Sequence, residues 1–169
     1  KMKSILFVCT GNTCRSSMAE GIFKAELAKE KRQVNEFSTS SAGISACDGE
    51  PASHNAVKAM MDLWSLDISG HKARLLKKEH VDDAFLILTM TKSHKHALLT
   101  LFPEAENKTF TLKEFAHGAE MPEKSHNTVL DLDIRDPYGM SVEVYKKCAI
   151  EIKDAVVKVV EKLKNRMVT

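Results

Sequence analysis

The 169 residues, 43% of them hydrophobic, suit one globular domain with an ordinary core, and residues 2–169 are taken as that single domain. Lys and Arg number 25 against 23 Asp and Glu, so the net charge of +2 leaves no global field strong enough to imply nucleic acid or a membrane surface as the partner. No run approaches the roughly 18 consecutive apolar residues of a membrane span, and Lys1-Met2-Lys3 leads straight into a short apolar run, which implies a cytoplasmic protein.

Ser4 to Cys9 (SILFVC) reads as a buried strand. From Ser16 to about Lys31 a helix follows, with Met18, Ala19, Ile22, Phe23 and Leu27 on one side and Glu20, Lys24, Lys29 and Glu30 facing away. Phe37 to Ser41 is a second, weaker strand and Ala56 to Leu66 a second helix. Phe85 to Met90 (FLILTM) is a clear strand, Lys92 to Leu101 a helix stopped by Pro103, and Lys108 to Leu112 a last short strand. The long polar stretch from His117 to Asp136, with Pro122 inside it, reads as a functional loop. Tyr145, Cys148, Ala149, Ile152, Val156, Val159 and Leu163 recur at three and four residues and predict a final helix. This alternation predicts a single three-layer α/β domain: a four-stranded parallel sheet with helices on both faces.

In such a sheet ligands bind outside the carboxyl ends of the strands, which is where Cys9-Thr10-Gly11-Asn12-Thr13-Cys14-Arg15-Ser16 falls. Backbone N–H groups of a tight turn, followed by a helix N-terminus, make an anion cradle suited to phosphate. Gly11 supplies backbone freedom, Asn12 tolerates a left-handed conformation, and no second glycine followed by Lys-Ser/Thr signals a nucleotide loop. Arg15 offers a planar fork for two phosphoryl oxygens. Cys9 at the strand end would lie under the phosphorus as a thiolate, with the Ser16 hydroxyl donating to it, and would attack to give a phosphocysteine that water hydrolyses. The four cysteines are too scattered for a disulfide framework, and Cys9 with Cys14 lacks the further ligands of a zinc site, so no metal or cofactor is expected. Cys47 and Cys148 read as structural or incidental. Peroxide would convert Cys9 to a sulfenic acid that Cys14, on the same loop, could trap as a disulfide.

These residues resemble the low-molecular-weight protein phosphatases, whose signature is C-x5-R-S between the first strand and the first helix. Ser41-Ala42-Gly43, His71-Lys72-Ala73-Arg74 and Asp136-Pro137-Tyr138 resemble three further segments of that family in the same order. The resemblance implies that Cys9 is the nucleophile, Arg15 the phosphoryl clamp and Asp136 the acid that protonates the leaving group and then activates water. It implies a supporting network of Asn12, Ser16, Ser41 and His71, phosphorylated proteins as substrates, and inhibition by phosphate-like oxyanions. Asp131 and Asp133 compete with Asp136 on spacing alone; only the family position favours Asp136.

Thr13 stands where tyrosine-specific members carry an apolar residue and the similar protein-arginine phosphatases carry threonine. A hydroxyl there can meet a guanidinium, whereas a methyl-rich side chain packs on an aromatic ring. Cys47 and Gly139, where some tyrosine-specific members have aromatics, lean the same way, and Tyr138 leans toward phosphotyrosine. The rival arsenate reductases share a similar loop but need redox cysteines after the third strand, where this chain has Thr89-Met90-Thr91-Lys92-Ser93-His94. A phosphate-binding module without catalysis would not need nucleophile, arginine and acid together.

Overall fold

Side chains of β1 (Lys3–Cys9) alternate between two cores, as the two-residue period of a strand requires. Ile5, Phe7 and Cys9 enter one apolar cluster, and Leu6 and Val8 enter the other. A computed structural model describes residues 2–30, 36–118 and 131–167. β1 is flanked by β2 (Phe37–Gly43) and β3 (Ala84–Thr89), and β4 (Thr109–Thr111) closes the edge, giving the all-parallel order β2-β1-β3-β4. The larger cluster packs α1 (Arg15–Ala28), α2 (His54–Trp64), α5 (Leu112–His117) and α6 (Val142–Met167) on one face. On the other face lie α3 (Lys78–Asp83), α4 (Lys92–Leu101) and a 3-10 turn at Pro103–Lys108. This is the expected three-layer arrangement. The order reverses on either side of β1, so its carboxyl end sits at the switch point where a crevice opens.

Several boundaries differ from the sequence reading for local reasons. α2 begins at His54 because Ser53 accepts a hydrogen bond from the Ala56 N–H, and it ends where Ser65 turns left-handed at φ 52°. The last strand stops at Thr111, which forms a reciprocal capping box with Glu114 and so starts α5 inside a segment read as strand and loop. α3 and α5 span six residues each, too few for apolar periodicity to register. α1 ends at Ala28, with Lys29 as its cap bonding back to Glu26 and Leu27, short of the expected end near Lys31. Lys31 itself and positions 119–130 of the long polar stretch, Pro122 included, lie outside the described residues.

Candidate active site

The loop between β1 and α1 turns on Asn12, whose φ of 58° places it in the left-handed region. Gly11 does not take a positive φ; the conformational demand expected of the glycine falls on the asparagine instead. Asn12 tolerates it because its side chain is fully buried and bonded at every atom it offers. Its Nδ2 donates to Ser16 Oγ and to Ser41 Oγ, both at 2.8 Å, and its Oδ1 accepts the Arg74 N–H at 2.9 Å. His71 donates from Nε2 to the Asn12 carbonyl at 2.6 Å. Asn12, Ser16, Ser41 and His71 therefore meet in one network beneath the loop, joined by Arg74, whose Nε donates to the Ser41 carbonyl.

Glu20 was expected on the solvent side of α1, yet its carboxylate turns inward. It accepts from Ser41 Oγ at 3.2 Å and lies 3.6 Å from His71 Nδ1. Burial works against the charge, but the His71 hydrogen bond, Lys24 and Ser41 together hold the carboxyl below its ordinary value. An amphipathic pattern cannot separate an exposed acid from one that serves a network across the sheet.

Above this support, Cys9 Sγ lies 2.9 Å from Ser16 Oγ and receives the Asn12 N–H at 3.3 Å. Cys14, at the cap of α1, makes no side-chain cap bond, and the first turn carries no acid, so the positive end of the helix dipole faces the loop. Thr10 is exposed, and Gly11 and Thr13 are half-buried. Cys14 points beneath the loop instead, where its Sγ lies 3.2 Å from Tyr145 Oη and donates to Ser53 at 3.4 Å. Burial first, then the Cys14 contact, pushes the Tyr145 hydroxyl up to about 12.

Arg15 is buried and donates to the Ile134 carbonyl at 2.9 Å, while its other terminal nitrogen lies 3.6 Å from Asp136 Oδ2. The three competing acids now separate. Asp133 accepts the Lys92 N–H at the start of α4, Asp131 accepts the Asp133 N–H, and Asp136 alone of the three pairs with Arg15. Ile134 also donates to the Met90 carbonyl, so the acid loop is pinned to the end of β3.

Tyr138 is 74% exposed beside Asp136. Gly139 occupies a left-handed position, φ 76°, in a turn closed by Met140 N–H to the Pro137 carbonyl. The glycine thus has a backbone reason, which removes it as a marker of substrate preference. Cys47 is exposed, and Cys148 is buried, its thiol pushed up to about 12 by burial and then by Glu151.

Besides Glu20 and Arg74, two more residues support the loop without a role expected from the sequence. Gly43 sits where an added Cβ would lie 2.5 Å from the Thr10 carbonyl and 2.9 Å from the Asn12 nitrogen, so the strand end passes directly against the loop. His94 is buried after β3, with Nε2 2.8 Å from Thr10 Oγ1. Burial, then the Arg15 cation, pushes its imidazole down to about 4. Its position just past the third strand, facing the switch point, is the signal that marks it.

A nucleophile, a fixed cation and a carboxylate gathered around an anion cradle can transfer a phosphoryl group to sulfur. The family model described as low molecular weight phosphotyrosine protein phosphatase matches residues 4–168. A protein-arginine-phosphatase of Geobacillus stearothermophilus is 41% identical over 160 residues, covering 94% of this chain and 95% of that one. The crystal structure of a low molecular weight protein tyrosine phosphatase from T. tengcongensis is 43% identical with a TM-score of 0.82, covering 95% of this chain and 99% of that one. A solved arginine phosphatase, mutated from cysteine to serine and phosphorylated on that active-site serine, is 32% identical with a TM-score of 0.83 and 95% of each chain covered.

Proposed function

The chain belongs to the low molecular weight phosphotyrosine protein phosphatase family and is a cysteine-dependent phosphatase; within that family we propose that it hydrolyses phosphoarginine on proteins. The observation that carries the mechanism is the Arg15–Asp136 pair at 3.6 Å beside a loop in which Ser16 and the Asn12 N–H both address the Cys9 sulfur. The Cys9 thiolate attacks phosphorus while Arg15 holds two phosphoryl oxygens. As the phosphorus–nitrogen bond breaks, its electron pair stays on the guanidine nitrogen, which takes the proton of Asp136. The Asp136 carboxylate then removes a proton from water, whose oxygen displaces sulfur, releasing inorganic phosphate and the thiolate. No cofactor enters this cycle, and oxyanions shaped like phosphate compete for the cradle.

The preference for phosphoarginine rests on Thr13, whose hydroxyl suits a guanidinium, and is supported by the similarity to the Geobacillus arginine phosphatase. Phosphotyrosine is the second reading, favoured by the exposed Tyr138 ring beside Asp136 and by the similarity to the T. tengcongensis enzyme. Measuring kcat/KM on matched peptides carrying either group, with Thr13→Ile in parallel and Cys9→Ser as the blank, separates them. A phosphoarginine preference that reverses in Thr13→Ile supports the proposal; a wild-type phosphotyrosine preference overturns it. Cytoplasmic proteins are the proposed substrates, and reversible oxidation through Cys9 and Cys14 is the proposed regulation. No helix among the described residues is long and apolar enough to cross a membrane.

A further inference from the structure

His94 holds an uneconomical position for a core residue. It is 7% exposed, and its Nδ1 is buried with no hydrogen-bond partner among the described residues. An apolar side chain would fill the same space without leaving a polar atom unpaired. The bond it does make, Nε2 to Thr10 Oγ1 at 2.8 Å, reaches across 84 residues to the one that follows Cys9. The main chain that carries the ring is itself fixed: the backbone N–H of His94 donates to Thr91 Oγ1 at 3.1 Å in the cap of α4. Thr10, by contrast, is exposed, and without this bond its side chain would be free to sample its staggered rotamers.

The tautomer follows from the hydrogen-bond network. Arg15, Asp136 and Asp133 are the charged groups that act on the ring, and burial together with the Arg15 cation keeps it neutral over the ordinary working range. A single proton placed on Nε2 is donated to Thr10 and leaves Nδ1 as a bare acceptor. The alternative would bury an unpaired N–H close to a cation, the costlier arrangement. With Thr10 Oγ1 accepting from the ring, its own hydrogen is turned away from His94.

We propose that His94 is a positioning residue of the phosphate loop, fixing the Thr10 hydroxyl and with it the peptide that follows Cys9 in the arrangement a bound phosphoryl group requires. The inference rests on the phosphatase reading of the loop. It assigns His94 no contact with substrate and no proton transfer.

The test compares His94→Leu, His94→Gln, Thr10→Val and the Leu/Val double variant with wild type. Three quantities are read: kcat and KM on para-nitrophenyl phosphate, protection of Cys9 by tungstate against iodoacetamide, and the melting temperature. Losing this bond should lower kcat/KM about 3- to 10-fold, chiefly through KM, and weaken tungstate protection by a similar factor. His94→Gln, which can still donate from its amide, should recover most of both, and the double variant should be no worse than the worse single one. Unchanged tungstate protection in His94→Leu and Thr10→Val overturns the inference, as does a His94→Gln as impaired as His94→Leu, which would make the residue a packing element. Should His94→Leu not fold, Thr10→Val removes the same bond from an exposed site and decides the matter. Absence of wild-type turnover would refute the phosphatase reading, while tungstate protection would still decide the role of His94.

Discussion

Arg15 and Asp136 face each other at 3.6 Å although 54% of the Asp136 side chain is open to solvent and only 6% of the Arg15 side chain is. The buried cation is fixed from behind by the Ile134 carbonyl, and the acid projects from the exposed side of the same loop. That asymmetry suits the roles proposed for the two residues, a fixed phosphoryl clamp and an acid open to varied leaving groups. Asp136→Asn should therefore lower kcat by about 10²- to 10⁴-fold on a poor leaving group such as a guanidine or a phenol, and by less on para-nitrophenyl phosphate. Asp131→Asn and Asp133→Asn, which keep the acceptor oxygen each acid uses, should change kcat little. Steady-state kinetics on the two substrate types checks both statements, and equal losses in all three variants would remove Asp136 from its role.

Gly43 leaves room for the Thr10 carbonyl and the Asn12 nitrogen, which a Cβ would approach to 2.5 and 2.9 Å. Both neighbours are backbone, so the loop itself must give way. Gly43→Ala should cost about 1–3 kcal/mol of stability and at least about tenfold in kcat/KM. Urea unfolding and steady-state kinetics on the same preparation measure the two effects; wild-type kinetics in a folded Gly43→Ala would show that the loop is not held by this contact.

The Glu20 carboxyl is depressed in the folded protein, so the linkage has a definite sign. Its contribution is present above the ordinary value of 4.5 and is lost as pH falls below that and through the folded value. Wild type should lose stability on that acid limb more steeply than Glu20→Gln, whose amide cannot titrate. Urea unfolding at several pH values between about 6 and 3 gives the comparison, and parallel curves would remove Glu20 as a source of acid sensitivity.

Cys9 and Cys14 are both buried in one loop, and the Cys14 sulfur is already engaged by Tyr145 and Ser53. Under the proposed regulation, peroxide would transfer an oxygen to Cys9, giving a sulfenic acid, and the Cys14 thiol would attack that sulfur, forming the disulfide and releasing water. Wild type exposed to peroxide should regain its activity on treatment with a thiol reductant, and Cys14→Ser should regain much less because its sulfenic acid oxidises further. Equal recovery in the two would leave Cys14 a packing residue.

What the sequence determined by itself is what is encoded over a few residues. The span from Cys9 to Ser16 carries nucleophile, turn and helix start in one segment, and the three- and four-residue recurrence from Tyr145 to Leu163 marks α6 without reference to anything else. The box at Thr111 and Glu114 is written in the sequence too, yet the strand expected over Lys108 to Leu112 overlaps its first residue, because six residues make too short a helix for periodicity to show. Only the tertiary structure decided which of Asp131, Asp133 and Asp136 reaches Arg15, that Glu20 turns inward to His71, and that His94 meets Thr10. The physical reason is common to all three. Hydrophobic period and turn chemistry act between neighbours in the chain, whereas these contacts are made where the parallel sheet reverses its order and brings the ends of β1, β2 and β3 to one crevice.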